Sequence, residues 1–346
     1  MIAGFSEKII DWQKLQGRHD LPWQLTSDPY PIWVSEIMLQ QTQVSTVIPY
    51  FNRFLSVFPD LRTLAHAHID SVLAQWSGLG YYTRARKLHC AAITIMSEHA
   101  GIFPESSEAI QRLPGIGRTT AAAIRVFAFG AKDAILDGNV RRVLMRYFAL
   151  EGPTSGKRAE NTLWPLAERL LPDEEIVAYT QGLMDLGATC CSPRQPACFR
   201  CPLRQGCKAF EQGRVQDFPA PPPSRKALPE RQIIMLLIGR NGRLLFQRQP
   251  EKGLWGGLYV LPYLADMKEA QNFLSSHFGA DLSSGRWLES VKHGLTHFRL
   301  VIRPWQIVLK PSDLFLEQQV WWKPDEALAQ GLPVPVRRLV STWVPG

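Results

Sequence analysis

The chain has 346 residues, of which 45% are hydrophobic and 20% charged. That is enough apolar material for a sizeable core, so two globular domains are expected and disorder is not. No run approaches the roughly 18 to 20 apolar residues of a membrane span, and the N-terminus lacks the basic patch, apolar stretch and cleavage site of a secretion signal. A cytoplasmic protein with no membrane partner is expected. Five of the six cysteines fall between Cys190 and Cys207, a crowding that suggests metal ligation in a reducing compartment rather than a disulfide framework. The formal net charge of +8 says less than its distribution. Residues 71–97, 109–132, 138–150 and 186–210 contain no Asp or Glu, yet carry Arg84, Arg86, Arg118, Arg141, Arg142 and Arg204 among other cations. Any one such window can be a solvated helix face; four together favour a polyanion such as nucleic acid.

From Phe5 to about Phe210 the apolar residues recur at helical spacing, as in Ile48, Phe51, Phe54 and Leu55, with no convincing strand. The first element of interest is a helix over 31–41 with Pro31 in its first turn. Glu36 lies within a largely apolar stripe of this helix, formed by Ile32, Trp33 and Leu39. Burial there raises a carboxyl pKa and makes Glu36 a candidate proton donor; the alternative is a structural acid bonded to a neighbouring helix. Next, Gly78-Leu79-Gly80-Tyr81-Tyr82 reads as an interhelical turn.

Further along, Leu113-Pro114-Gly115-Ile116-Gly117-Arg118-Thr119 separates a helix carrying Ile110 from an alanine-rich helix over 120–129. Gly115 and Gly117 allow a tight turn and close approach to a ligand, and the helix N-terminus that follows, at Arg118 and Thr119, offers amides to a phosphate. Leu136-Asp137-Gly138-Asn139-Val140 comes some twenty residues later. On sequence alone Asp137 is a helix N-cap, with Asn139 as a competing cap. Cleavage of a glycosidic bond passes through a cationic sugar, however, and benefits from one protonated acid and one anion; Glu36 and Asp137 form such a pair.

Cys191, Cys198, Cys201 and Cys207 are separated by six, two and five residues. One Cys-x-x-Cys pair with an outlier on each side fits a four-cysteine cubane better than a zinc ribbon. Cys190 could replace its neighbour as a ligand. The spacing and the Pro202-Leu203 that follows the third cysteine closely resemble the 4Fe-4S loop of the endonuclease III family, which implies one 4Fe-4S cluster on Cys191, Cys198, Cys201 and Cys207. The glycine turn with its Asp-Gly-Asn loop resembles the helix-hairpin-helix of the base-excision glycosylases.

With Ser35-Glu36-Ile37-Met38-Leu39-Gln40-Gln41-Thr42 added, the chain resembles a MutY-type adenine DNA glycosylase. That resemblance implies that Glu36 protonates adenine N7 and later activates water, that Asp137 stabilises or captures the oxocarbenium ion, and that Asn139 orients the site. Its substrate would be double-stranded DNA containing A opposite 8-oxoguanine or G, met at the nucleoid by a monomer. Because a stacked base must be flipped out first, the gap needs filling, and Gln40, Gln41, Thr42 and the Tyr81-Tyr82 pair suit that task. In the family the residues matching Gln41 and Tyr81 wedge into the duplex. Bifunctional relatives carry lysine immediately after the Gly-x-Gly-x segment; here that position is Thr119, which has no amine for a Schiff base, so hydrolysis with water is expected. Two competing functions are a bifunctional glycosylase/lyase for oxidised pyrimidines and a non-catalytic DNA-binding iron-sulfur protein.

The expected organisation is multidomain: an all-α helix-hairpin-helix catalytic domain over 1–213, with the hairpin at about 109–129 and the iron-sulfur loop at 191–207, then a proline-rich linker over 214–230. An α+β Nudix-like domain follows over 231–346, opening with a hairpin at Asn241-Gly242. Gly253-Leu254-Trp255-Gly256-Gly257-Leu258-Tyr259 carries the resemblance to the Nudix-like lesion-recognition domain, although the acidic Nudix helix is missing. The family's Phe-Ser-His lesion reader corresponds to Leu295-Thr296-His297, which keeps the hydroxyl in Thr296 and the imidazole of His297 but not the aromatic ring.

Overall fold

The computed structural model describes residues 4–220, 228–309 and 319–344; residues 221–227 of the expected linker lie outside that set. In chain order its helices are α1 (Phe5–Gln16), α2 (Pro29–Leu39), α3 (Val44–Val57), α4 (Leu61–His66), α5 (Ile69–Trp76), α6 (Thr83–Glu98), α7 (Ser107–Arg112), α8 (Arg118–Phe129), α9 (Gly138–Phe148), α10 (Lys157–Arg169), α11 (Ile176–Asp185) and α12 (Lys208–Glu211). The second part contains β1 (Glu230–Arg240), β2 (Arg243–Arg248), β3 (Tyr259–Val260), β4 (Tyr263–Leu264), α13 (Met267–Phe278), β5 (Arg286–Trp287), β6 (Val291–Gly294), β7 (Arg299–Val308), β8 (Gln319–Trp322), α14 (Pro324–Leu328) and α15 (Val334–Thr342). Among the described residues no helix is long and apolar enough to cross a membrane.

The chain divides into two compact units, one formed by 1–66 and 87–224, the other by 67–86 and 225–346. The second is therefore discontinuous: α5 and the turn after it belong with the C-terminal sheet. A linear reading places this segment in the helical domain, because nothing in its own residues reveals a partner some 250 positions away.

In the first unit α1 packs on α11, and α2 on both α3 and α8. Small residues make these approaches possible: Ala121, Ala122 and Ala123 of α8 are buried. A Cβ added to Gly182 of α11 would stand 2.8 Å from Gln13 Cβ and 2.9 Å from Ile9 Cγ2 of α1. One core gathers Phe5, Ile9, Val140, Leu144, Leu163 and Leu183. Trp33, Phe54 and Leu64 are also fully enclosed. The helix expected from Thr120 begins two residues earlier, at Arg118, since Gly117 takes the N-cap position.

The second unit is a mixed sheet ordered β3-β2-β1-β7-β5, with β4 also on β1, β6 on β7 and β8 on β2. Asn241 and Gly242 turn the β1–β2 hairpin with φ of 50° and 71°, as the positive-φ preference of that pair requires. β1 runs parallel to β7, from Glu230↔Arg299 to Gly239↔Val308. Such a pair is covered on both faces: Ile234, Leu236 and Ile238 pack with Ala270 and Leu274 of α13. On Gly239 an added Cβ would stand 2.8 Å from the Trp343 ring.

Gly182→Val should destabilise the helical unit by about 1–3 kcal/mol, because a core without spare volume forces a backbone shift. A lowered Tm checks this; an unchanged Tm would mean α1 and α11 are not in close contact.

Candidate active site

Glu36 and Asp137 line one cavity of about 540 Å³ within the first unit, together with His19, Asn139 and Gln181. Asp28 caps α2 by accepting from the Tyr30 amide at 2.9 Å, and Pro31 falls in the first turn, as its fixed φ favours. The rest of the helix is almost wholly apolar, with Ile32, Trp33, Val34, Ile37 and Met38 buried. Burial and the nearby Asp137 both push the Glu36 carboxyl upward, to about 8.

Asp137 caps α9 and lines the cavity at the same time, so the two roles weighed for it coincide. Its Oδ1 accepts from the Val140 amide at 2.7 Å, and its Oδ2 accepts from Asn139 Nδ2 at 3.3 Å. Burial raises its pKa, but here the Val140 and Asn139 amides, the Arg142 charge and the Asn139 side chain pull the other way. Glu36 has no such counterweight among the influences acting on it, so the environment separates the two acids.

Sequence reasoning missed what holds Asn139. Arg142, one turn along α9, donates to Asn139 Oδ1 at 2.9 Å, to the Gly187 carbonyl at 2.6 Å and, through Nε, to the Cys191 carbonyl at 2.8 Å. Gly187 has no side chain because none fits: an added Cβ would stand 2.5 Å from Asn139 Cβ. Arg142 was legible only as part of a basic window, although its three-residue spacing from Asn139 places both on one helix face. At the cavity's other wall the Arg18 amide and Nε bond the fully buried Asp185 at 2.9 and 2.7 Å, and Gln181 Nε2 completes that carboxylate at 2.9 Å.

Cys191, Cys198, Cys201 and Cys207, with Cys190, line a small, mostly apolar cavity of about 30 Å³. Arg146, only 2% exposed, fills its guanidinium with acceptors around this loop: Val215, Phe218, Ser192 and Pro193 carbonyls, plus Cys191 Sγ at 3.4 Å. Burial raises the Cys198 and Cys207 thiols, and the neighbouring Cys191 adds to this, as expected of thiols crowded together. Among the described residues, no group of three or more His, Cys, Asp or Glu side chains is arranged so as to hold a metal ion. The donor set fits a thiolate-bound cluster; the positions are not those of a closed site.

Gly115 turns the α7–α8 hairpin with φ 87°, and its missing Cβ would stand 2.9 Å from Lys87 Cβ. Gly117, Arg118 and Thr119 face a separate open groove that they share with Arg141 and Trp164. Arg118 is not simply presented to solvent: it lies 3.8 Å over the Trp164 ring and pairs with Glu168. Gln40 ends α2, Gln41 is exposed at φ 57°, and Thr42 closes the turn through its amide to the Leu39 carbonyl at 3.2 Å.

In the second unit Tyr81 likewise adopts a left-handed φ, 48°. Two non-glycine residues held there at exposed turns are strained positions of the sort found at ligand contacts. Thr296 and His297 occupy the exposed tip of the β6–β7 hairpin, closed by the Leu295 amide donating to the Phe298 carbonyl at 3.0 Å. α13 carries a single glutamate, Glu269, so the acidic Nudix helix is absent from it.

These features define a class. Residues 34–169 match the family described as HhH-GPD superfamily base excision DNA repair protein, and residues 233–342 match the NUDIX domain. In backbone the chain is similar to a thermostable thymine-DNA glycosylase, with a TM-score of 0.56 and 31% identity over 61% of this chain and 97% of that one. Endonuclease III bound non-covalently to DNA has a TM-score of 0.52 at 18% identity, over 60% of this chain and 94% of that one, a likeness of fold. Among curated proteins, the adenine DNA glycosylases of two Buchnera aphidicola strains are 34% and 35% identical over 97% and 98% of this chain, spanning 96% and 97% of their own lengths. The human adenine DNA glycosylase is 39% identical over 60% of this chain and 40% of its own. The chain belongs to the adenine DNA glycosylase family, as a DNA N-glycosylase of the helix-hairpin-helix superfamily with a Nudix-like C-terminal domain.

Because the folded pKa of Glu36 lies above its ordinary 4.5, its ionisation opposes folding. Stability attributable to the protonated form is full below about 4.5 and lost as pH rises towards 8. Glu36→Gln should therefore match the wild type in denaturant unfolding near pH 4.5, and be the more stable protein by an amount that grows with pH and levels off above about 8. A gap independent of pH would show that Glu36 is not buried as described.

Proposed function

We propose that this protein hydrolyses the N-glycosidic bond of adenine mispaired with 8-oxoguanine or G in double-stranded DNA, acting as a monomer and leaving an abasic site. The observation that carries this reading is the pair of acids in one cavity, Glu36 driven up to about 8 and Asp137 held by a helix N-terminus and Asn139. Protonated Glu36 gives its proton to adenine N7, which turns the base into a neutral leaving group. Asp137 faces the positive charge that develops on the sugar and stabilises or captures it. Glu36, now ionised, activates the attacking water. Asn139 orients Asp137, and Arg142 with Gly187 fixes Asn139.

Gly115, Gly117, Arg118 and Thr119 would take a DNA phosphate at the start of α8. Threonine at 119 supplies no Schiff-base amine, so the enzyme is monofunctional. Gln41 and Tyr81 are the wedges, flanked by Gln40 and Thr42, and Thr296 and His297 read the base opposite adenine. Cys191, Cys198, Cys201 and Cys207 would hold one 4Fe-4S cluster; when bound, it supplies four metal–sulfur bonds that shape the basic loop. Arg146 ties that loop to α9.

Duplexes with A opposite 8-oxoguanine, G or T, and one with thymine glycol, test the reaction. Expected are breaks at adenine only after alkali, from the first two duplexes and not from A opposite T. The rate should fall as pH rises through about 8, where Glu36 ionises. Asp137→Asn should slow excision by about 100-fold or more, the scale of losing one preorganised electrostatic partner. Breaks without alkali at thymine glycol would sink the proposal.

Cys198→Ser, purified anaerobically, should lose the brown visible absorbance and about half or more of its bound iron, and unfold at lower temperature. Colourless, iron-free wild type of equal Tm would remove the cofactor from the proposal.

A further inference from the structure

The turn after α5 is tied at Gly80, whose carbonyl accepts from Trp76 Nε1 and Arg84 Nη2, both at 3.2 Å, but its two ends are not fastened by these bonds. Three of its four residues from Gly78 to Tyr81 have positive φ: 102° at Gly78, 78° at Gly80 and 48° at Tyr81. For tyrosine this conformation is strained, and strain persists only where surrounding structure fixes it. Further fixing groups lie in the C-terminal part of the same compact unit. Tyr82 Oη accepts from the Gly78 amide at 3.1 Å and donates to the Leu332 carbonyl at 3.1 Å. Ser77 Oγ donates to that same carbonyl at 2.8 Å and accepts from Arg337 Nη2 at 3.1 Å. On the far side Arg86 donates to the Gly256 carbonyl. Tyr81 itself projects from the turn, 47% exposed.

We propose that Tyr82, with Ser77, is a positioning residue: its hydroxyl fastens the Tyr81 turn to the segment joining α14 and α15. The wedge is thereby carried by the same unit that carries the Thr296–His297 hairpin tip. This deepens the functional reading above and rests on it, because it makes discrimination of 8-oxoguanine from G depend on a turn remote in sequence from the residues that read the base. Recognition at the hairpin tip and insertion of Tyr81 then occur as movements of one body, and a loosened turn inserts equally well, or equally badly, beside either base.

The test uses the full chain with Tyr82→Phe and, separately, Ser77→Ala, each of which removes one hydroxyl and leaves the packing. Two readouts are taken: amide hydrogen exchange over residues 77–82, and single-turnover adenine excision opposite 8-oxoguanine and opposite G. Expected in both variants is exchange faster by about tenfold in that turn, the scale of one lost buried hydrogen bond. The 8-oxoguanine-over-G rate ratio should fall by a comparable factor while the rate opposite G changes far less. Unchanged exchange overturns the positioning role. Faster exchange with an unchanged ratio, or an equal fall in both rates, overturns the coupling and leaves Tyr82 a structural residue. A wild type that removes adenine from neither duplex fails the functional reading instead, and the exchange data still decide whether Tyr82 holds the turn.

Discussion

A carboxyl group set into an apolar helix is expensive to ionise, and much of this site can be read as a response to that constraint. Glu36 sits among buried neighbours on α2 and keeps its proton to about pH 8. A second acid in the same cavity is also raised by burial, but with partial compensation. Asp137 receives it from the first amides of α9 and from Asn139. Two residues with nearly the same chemistry are thus set apart by what surrounds them: every influence on Glu36 is raising, whereas two amides, the Arg142 charge and the Asn139 side chain oppose burial at Asp137.

That support extends outward through α9. Arg142 joins Asn139 to the Gly187 and Cys191 carbonyls, and Arg146, one turn further, gathers the carbonyls of the cysteine loop. Both arginines are used less as charges than as forks that satisfy several part-buried acceptors at once. Removing either leaves carbonyl groups that are at least partly buried without their partners. The helix that Asp137 caps also organises the cysteine loop.

Much of this was legible in the chain. The helical first part, the strand turn at Asn241-Gly242, the apolar stripe around Glu36 and the glycines of the hairpin each follow from a local rule, and the structure places them accordingly. Asp137 shows where local rules stop deciding: capping and catalysis ask for the same side chain at the same place, so no pattern separates them. The bracing roles of Arg142 and Gly187 were invisible for a different reason. Their importance lies in contacts across 45 positions of chain, and one of them acts by having no side chain. The parallel pairing of β1 with β7 and the placement of α5 with the C-terminal sheet are likewise long-range, and no periodicity announces either.

The discontinuity of the second unit has a consequence for how the chain is made. Ser77 and its acceptor at Leu332 are 255 residues apart. At roughly 5–20 residues per second, the turn after α5 leaves the ribosome about ten seconds or more before the carbonyl that fastens it. Through that interval Leu73, which Gly331 approaches so closely that an added Cβ would stand 3.0 Å from its backbone and Cβ, has no cover from the C-terminal segment. The nascent chain therefore carries an unfinished apolar edge at α5. A chain interrupted between residues 208 and 331 would keep its two acids and its cysteines and still present that edge to chaperones and proteases.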